Sequence, residues 1–446
     1  MKAVTLTDHQ QESFDKLWNF IESSADSNYY LFTGCAGSGK STSIIQLICK
    51  FVDEAKFNRV AVTATTNKAT KVVKDMLPAK YRDKVKFSTL HSILGLKHKI
   101  TANGKEVFEK DPKERSKVSM FDLLIIDESS MISDEVFHEL QNQNKTGIKV
   151  IFVGDPNQIN PVNHEHSIPM IEESRKKYNI EITSLTEVVR QAKGNPIIEF
   201  SQDILYNFDN IELTPGQKNF VDGRGLAVLN KHQPEVVNSL LDHYFCSDEF
   251  DKNADYCKVL AWRNATVDKF NKVIRKMKYG NSAPKIVLQE KLIVDRPIKR
   301  GDAVIFSIND ELNVKKIEIK TVKIGDDTYQ YYECLVEGIE RTDTIKILHE
   351  SSQGMFSHKL KVMEEHAKAQ TTSYQKSQNW IAYFEYKDHF DYVNYNYAVT
   401  CHCSQGSTYT NAFVVYSDIT LNQNDEEMKR ILYTAVTRPK ENLFLL

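Results

Sequence analysis

The sequence predicts an α/β fold organised on parallel sheets, and three observations predict it. Short β-rich runs recur with stretches of helical apolar spacing between them. Each run in the first half ends in small or acidic residues, as strands do when their working loops gather at the C-terminal ends. A glycine-rich loop, "GCAGSGKS" at 34–41, lies between the first such run and the helical stretch after it.

The elements follow in order. "YYLFTG" (29–34) reads as a buried strand, and "STSIIQLICKFVDEA" (41–55) as the helix after the loop. "RVAVTAT" (59–65), "FDLLIID" (121–127) and "KVIFVGD" (149–155) are further strands. "KHKITANGKEVFEKDP" (97–112) reads as a β-hairpin with Asn103-Gly104 at its turn. In the second half "CKVLAWRN" (257–264) is a strand followed by an amphipathic helix over 265–277. "NAFVVYS" (411–417) and "ENLFLL" (441–446) are strands, and "MKRILYTAVTR" (428–438) is helical. Residues 290–350 alternate Val, Ile, Lys and Glu, which suggests a small antiparallel barrel. Residues 355–396 carry helical and aromatic stretches without a clear pattern.

Bulk properties bound the function. A chain of 446 residues suggests two to four domains of ~100–200 residues each. Apolar residues at 41% and charged residues at 26% are ordinary for a globular protein with sizeable cores. The net charge of -2 does not announce a polyanion binder, but the charge is uneven. Residues 71–117 hold 13 Lys/Arg against 6 Asp/Glu, and residues 268–320 hold 13 against 7. Those blocks either line a groove for a polyanion or are two solvated faces. Seven cysteines without a framework spacing fit a reduced, intracellular chain, and Cys401-His402-Cys403 has no second Cys/His cluster near it in sequence to complete a zinc site. "MKAVTLTDHQ" lacks an apolar signal core, and no run approaches the ~18 apolar residues of a membrane span. The chain reads as cytoplasmic.

Gly34, Cys35, Ala36, Gly37, Ser38, Gly39, Lys40 and Ser41 fit G-x-x-x-x-G-K-S in full, and Thr42 follows. Such a loop turns backbone N–H groups onto a phosphate at a helix N-terminus. Lys40 would reach the β- and γ-phosphates of ATP, and Ser41 would ligate Mg²⁺. In "IIDESSM" (125–131) Asp127 ends an apolar strand, where a second metal ligand belongs. Glu128 beside it would polarise a water, which points to hydrolysis rather than phosphotransfer. Gln158 in "GDPNQ" has both a donor and an acceptor with which to sense a γ-phosphate. Arg190 in "LTEVVRQ" and Arg438 in "YTAVTRPK" are candidates for the positive charge that hydrolysis needs.

The order of these motifs resembles the superfamily 1 helicases, B class, in the RecD-like branch. The carriers also include "LTDHQ" (6–10), "VTATTNKATK" (62–71), "STLHSILGL" (88–96), "GDPNQINPV" (154–162) and "YAVTCHCSQGST" (397–408). They run through both halves of the chain in family order, and the late pair "HCSQGST" and "YTAVTR" is the most specific. The resemblance implies two RecA-like P-loop NTPase domains. The first spans 1–92 and 119–190, with an inserted β-hairpin at 93–118. The second spans 191–285 and 396–446, with a small β-barrel inserted at 286–354 and a helical extension at 355–395. It implies that Gln10 recognises adenine, that Gln158 couples, and that Arg190 and Arg438 grip the γ-phosphate. It implies that Gln405 and Gly406 link nucleotide to DNA. Thr66, His91, Pro161, Asn264, His402 and Ser404 fall on the nucleic-acid side. Phe108, on the hairpin, is either a wedge at a fork or a packing residue. The implied cofactors are ATP and Mg²⁺. The implied partners are single-stranded and fork DNA and a single-strand-binding or replisome protein, with the chain itself a monomer moving 5′ to 3′. Ala64-Thr65-Thr66 stands where the family commonly has Ala-Pro-Thr, which alters one DNA-contacting turn. A small-molecule kinase shares the phosphate loop but would need a substrate lid in place of the two late motifs. A DNA-dependent translocase that displaces bound proteins shares every motif.

Overall fold

Three runs in the first half are buried along their whole length and a fourth in all but its first residue, and such continuous strands belong inside a parallel sheet covered on both faces. The computed structural model describes residues 6–23, 27–54, 59–100, 106–110, 116–145, 147–161, 166–187, 194–230, 232–301 and 303–446, with backbone alone for 97–100 and 106–108. The strands of the first half are β1 (Tyr29–Gly34), β2 (Val60–Ala64), β3 (Val85–Thr89), β4 (Leu96–Ile100), β5 (Glu106–Lys110), β6 (Leu123–Ile126), β7 (Lys149–Gly154) and β8 (Ile180–Leu185). Six of them form one sheet in the order β3-β2-β6-β7-β1-β8, parallel throughout. Phe32, Leu47, Ile125 and Ile151 centre its core. The helix Lys40–Glu54 starts at the end of the phosphate loop, and the helix Asp8–Glu22 opens on a reciprocal cap between Thr7 and Gln10.

Strands β9 (Lys218–Val221), β10 (Arg224–Val228) and β11 (Cys257–Ala261) begin the second half. Next come β12 (Lys291–Val294), β13 (Ile298–Arg300), β14 (Ala303–Phe306), β15 (Glu311–Ile324), β16 (Asp327–Glu337), β17 (Thr342–Leu348) and β18 (Val393–Tyr395). The chain ends with β19 (Ala398–Thr400), β20 (Tyr409–Val414) and β21 (Pro439–Leu445). A second sheet runs β19-β11-β20-β21-β10-β9, parallel except for the final β10–β9 hairpin. Phe413 and Phe444 stack in its core with ring centroids 4.7 Å apart.

The chain divides into two compact units. Residues 1–95, 111–270 and 398–446 make the first, which holds both parallel sheets. Residues 96–110 and 271–397 make the second. There β4 and β5 pair antiparallel, with Phe108 opposite His98 in the backbone register. The Asn103-Gly104 turn and the Phe108 side chain lie outside the described residues. The stretch expected to be a barrel is a five-stranded antiparallel sheet, β17-β16-β15-β12-β18, and a separate ribbon β13-β14. Ribbon and sheet share one core around Ile298, Phe306, Val314 and Ile345, so apolar packing, not a closed hydrogen-bond ladder, joins them. The residues after β17 form two helices, Glu350–Ala369 and Ser373–Lys387. Among the described residues no helix is long and apolar enough to cross a membrane.

Candidate functional site

Nearly every residue singled out above stands at the C-terminal end of a parallel strand, where loops of an α/β sheet gather. The phosphate loop follows β1, Thr66 follows β2, His91 follows β3, Asp127 and Glu128 follow β6, and the 155–161 loop follows β7. In the second sheet Asn264 follows β11 and residues 401–406 follow β19.

The phosphate loop has the conformation its glycines allow. Gly37 and Gly39 take φ of +78° and +91°, a region side chains disfavour. At Gly34 a Cβ would meet Ser38 Oγ at 2.5 Å and the Leu185 carbonyl at 2.9 Å. Lys40 folds back, its ammonium donating to the Gly34 carbonyl and to that of Cys35 at 3.0 Å. Gln10 is buried, its Oε1 accepting from Thr7 N–H and its Nε2 donating to the Ser38 carbonyl at 3.0 Å. The amide therefore braces the loop from behind. Ser38 Oγ is buried without a hydrogen-bond partner among the described residues.

The acidic pair is locked by its backbone. Asp127 N–H donates to the Thr63 carbonyl at 2.8 Å, and Glu128 N–H donates to Asp127 Oδ1 at 2.9 Å. Glu128 has φ of +51°, which turns its side chain off the strand line. Burial first, then the Glu128 carboxylate, push Asp127 up to about 7.

The second sheet closes the site. Gln158 is 6% exposed; in the amide orientation its neighbours require, its Nε2 donates to Glu128 Oε2 at 3.1 Å and its Oε1 accepts from Arg438 Nη2 at 3.1 Å. Arg438, also 6% exposed, donates to the Thr434 carbonyl at 3.0 Å and to the Ser407 carbonyl at 3.3 Å. Gln405 Nε2 donates to the Ile159 carbonyl at 3.1 Å while Ile159 N–H donates to Thr434 Oγ1 at 3.1 Å. The loop after β7 is thus clamped on both sides by groups of the second sheet. Gly406 completes the approach: a Cβ there would sit 2.6 Å from Ala69 Cβ.

Several residues at this junction carry contacts that motif spacing did not assign. Tyr433 is fully buried; its hydroxyl donates to Asp155 Oδ2 at 2.8 Å and accepts from Ala36 N–H at 2.9 Å. Burial and the Asp155 carboxylate push that phenol well above its ordinary range. Arg430 donates to the carbonyls of Pro156 and Gln158. Lys68 Nζ meets Asp255 Oδ1 at 2.5 Å, a further link from the first sheet's helix to the second sheet. Tyr433 and Asp155 stood inside recognised motifs, but which hydroxyl finds which carboxylate is a fact of tertiary packing.

The residues expected on the nucleic-acid side lie on separate loops and helix starts. Thr66 Oγ1 caps the helix Asn67–Met76 by accepting from Ala69 N–H at 3.2 Å. Ser404 is fully buried, its hydroxyl donating to the Cys401 carbonyl at 2.7 Å. Pro161 is buried and Asn264 exposed. His91 and His402 are half-buried, and burial lowers both, His91 to about 4. Arg190 lies outside the described residues.

An AAA domain family matches residues 18–164, and a UvrD-like helicase C-terminal domain family matches residues 395–446. An uncharacterised protein of Acanthamoeba polyphaga mimivirus is 27% identical, covering 97% of this chain and 98% of that protein. The ATP-dependent DNA helicase dda of Enterobacteria phage T4 is 24% identical, with 98% of each chain covered. The crystal structure of Pif1 helicase from Candida albicans superposes with a TM-score of 0.52 at 15% identity, covering 99% of this chain and 94% of that one. At that identity the likeness is one of fold, two RecA-like domains.

Proposed function

We infer that this chain, which belongs to the B class of superfamily 1 helicases in the RecD- and Pif1-like branch, is an ATP-driven DNA helicase that acts on single-stranded DNA. One observation carries the reading: Gln158 joins Glu128 of the first sheet to Arg438 of the second. A group that responds to the γ-phosphate is then bonded both to the base that would activate water and to the arginine that would bridge the domains.

The residues fit ATP and Mg²⁺. Gly37 and Gly39, at positive φ, let the loop curl with no Cβ at those two positions, and adjacent carboxylates, one of them raised to about 7, are a donor set that a hard cation stabilises. Backbone N–H groups of residues 34–42 would hold the phosphates, Lys40 would turn from its loop carbonyls to them, and Gln10 would bound the adenine side. Ser41 and Asp127 would hold Mg²⁺, which when bound would supply charge neutralisation at the phosphate oxygens. Glu128 would orient the attacking water, and Arg438, with Arg190, would stabilise the charge that develops on the γ-phosphate.

Domain motion follows from sharing one ligand. With ATP present, groups of both sheets meet the γ-phosphate; once it is cleaved, those contacts lose their common target and the domains separate. If each domain grips the strand unequally in the two states, the cycle moves the protein along DNA. Opening one base-pair step costs ~1.4 kcal/mol, comparable to the ~1–3 kcal/mol of one base–aromatic stack. Movement from 5′ to 3′, action as a monomer and contact with a single-strand-binding or replisome protein are proposals from the class. So is Phe108 as the wedge. Phe108→Ala should spare DNA-stimulated ATPase and lower unwinding, and unchanged unwinding would end that assignment.

The decisive experiment measures ATPase with and without single-stranded DNA, then strand displacement on duplexes with a 5′ or a 3′ tail, with Lys40→Ala as control. ATP turnover indifferent to nucleic acid would overturn the motor reading. Displacement of a bound protein block without strand separation would favour a translocase instead.

A further inference from the structure

The second sheet ends on an edge strand with an unusual surround. β9 pairs only with β10 among the described residues, and all four of its residues are exposed, Phe220 at 43% and Val221 at 46%. The two strands turn through Asp222-Gly223, with φ of +50° and +77°, the signs of a two-residue type I′ hairpin. In such a hairpin the pair flanking the turn exchanges both ladder bonds, and pairs alternate from there. Val221 pairs with Arg224 and Asn219 with Leu226, so those backbone groups point to β10. Lys218 and Phe220 therefore turn their N–H and C=O groups outward. Natural proteins blunt or cover such edges; this one carries two exposed apolar side chains.

Each face of β9 adjoins a cavity, and the two differ in chemistry. On one face Lys218 and Phe220 line a cavity of about 480 Å³ with Val236, Leu240 and Phe444. On the other, Asn219 lines a cavity of about 380 Å³ whose charged groups are Glu199, Asp203 and Glu212, with no Lys or Arg in its wall among the described residues. A strand laid along β9 would send successive side chains alternately to the two faces.

We propose that the edge of β9 docks an extended segment of a partner protein in which basic and apolar side chains alternate. Outward backbone groups of Lys218 and Phe220 supply the ladder, the apolar cavity takes alternate residues, and the three carboxylates take the basic ones between. A nucleic acid does not suit a face lined by carboxylates. A second copy of β9 does not either, because Asn219 and Val221 bring no cation to that cavity.

The test uses the full chain and an acetylated, amidated heptapeptide of alternating lysine and valine. Its controls are a peptide of the same composition with lysines and valines in separate blocks, and an alternating glutamate–valine peptide. Binding is read by fluorescence anisotropy, and the docking position by amide hydrogen exchange. The alternating peptide should bind at least tenfold tighter than either control and slow exchange at Lys218 and Phe220. Lys218→Pro removes an outward N–H without breaking the β10 ladder and should weaken binding tenfold or more. Glu199→Gln with Asp203→Asn should do the same without touching the strand. DNA-stimulated ATPase should be unchanged in both. Absence of binding, equal binding of the block peptide, protection elsewhere than β9, or indifference to the carboxylate changes would each overturn the proposal.

Discussion

One hydroxyl ties the phosphate loop to the second sheet. Tyr433 joins Ala36 N–H to Asp155, so Tyr433→Phe keeps the ring packing and removes only that link. A hydrogen bond to a charged group is worth ~1.5–3 kcal/mol. Where the link matters only while the domains are closed on ATP, the loss appears in turnover: kcat with saturating single-stranded DNA should fall roughly 10- to 100-fold with KM for ATP nearly unchanged. A lower thermal midpoint with unaltered kcat would make the hydroxyl merely structural. His91 gives a second test at this scale. Burial lowers its folded pKa from 6.5 to about 4, so the unfolded state binds the extra proton between those values. The stabilisation is full above 6.5 and is lost as pH falls toward 4. The thermal midpoint of the parent chain should drop across that window, and His91→Gln should flatten the drop.

At the scale of elements, the loop after β19 approaches the helix Asn67–Met76 so closely that only glycine fits. Gly406 has φ of +69° and no space for a Cβ. Gly406→Ala should therefore hold the two sheets apart and lower ATPase. Ala69→Gly, which removes the opposing methyl, should restore part of it in the double variant although each change alone costs ~1 kcal/mol locally. Additive losses would mean that the clash is relieved elsewhere. Elements differ in how plainly the sequence shows them. β1, β2, β6, β7 and β11 are buried on both faces, so their sequences are apolar at most positions, with Lys258 in β11 the plainest exception. β9 and β10 are not legible as strands despite "VDGR", because half of that hairpin is exposed and its composition looks like a loop. The helix Ser373–Lys387 buries no residue fully, which leaves it without a readable apolar stripe. Closure of a barrel is a matter of long-range pairing, and alternation along β15 and β16 specifies only their own hairpin.

For the whole molecule, motif order sufficed to name a two-domain ATPase, because phosphate chemistry constrains residues that are near in sequence. The bridge through Gln158 was legible only in part: each member stood in a motif, but their meeting requires two sheets to pack. Charge is where bulk and local readings diverge most. A chain of net charge -2 should bind DNA poorly unless its cations are gathered. Lys269, Lys272 and Lys276 are exposed and spaced along the helix Asn264–Tyr279 so that they share one face. If that stripe tracks a single strand, each lysine displaces counterion and steepens the salt dependence by ~0.7 in log K against log salt. Replacing all three by Ala should reduce the slope by about 2, weaken binding at low salt far more than at high salt, and leave ATPase without DNA untouched. An unchanged slope would make the stripe a solvated face and move the phosphate contacts to other cations.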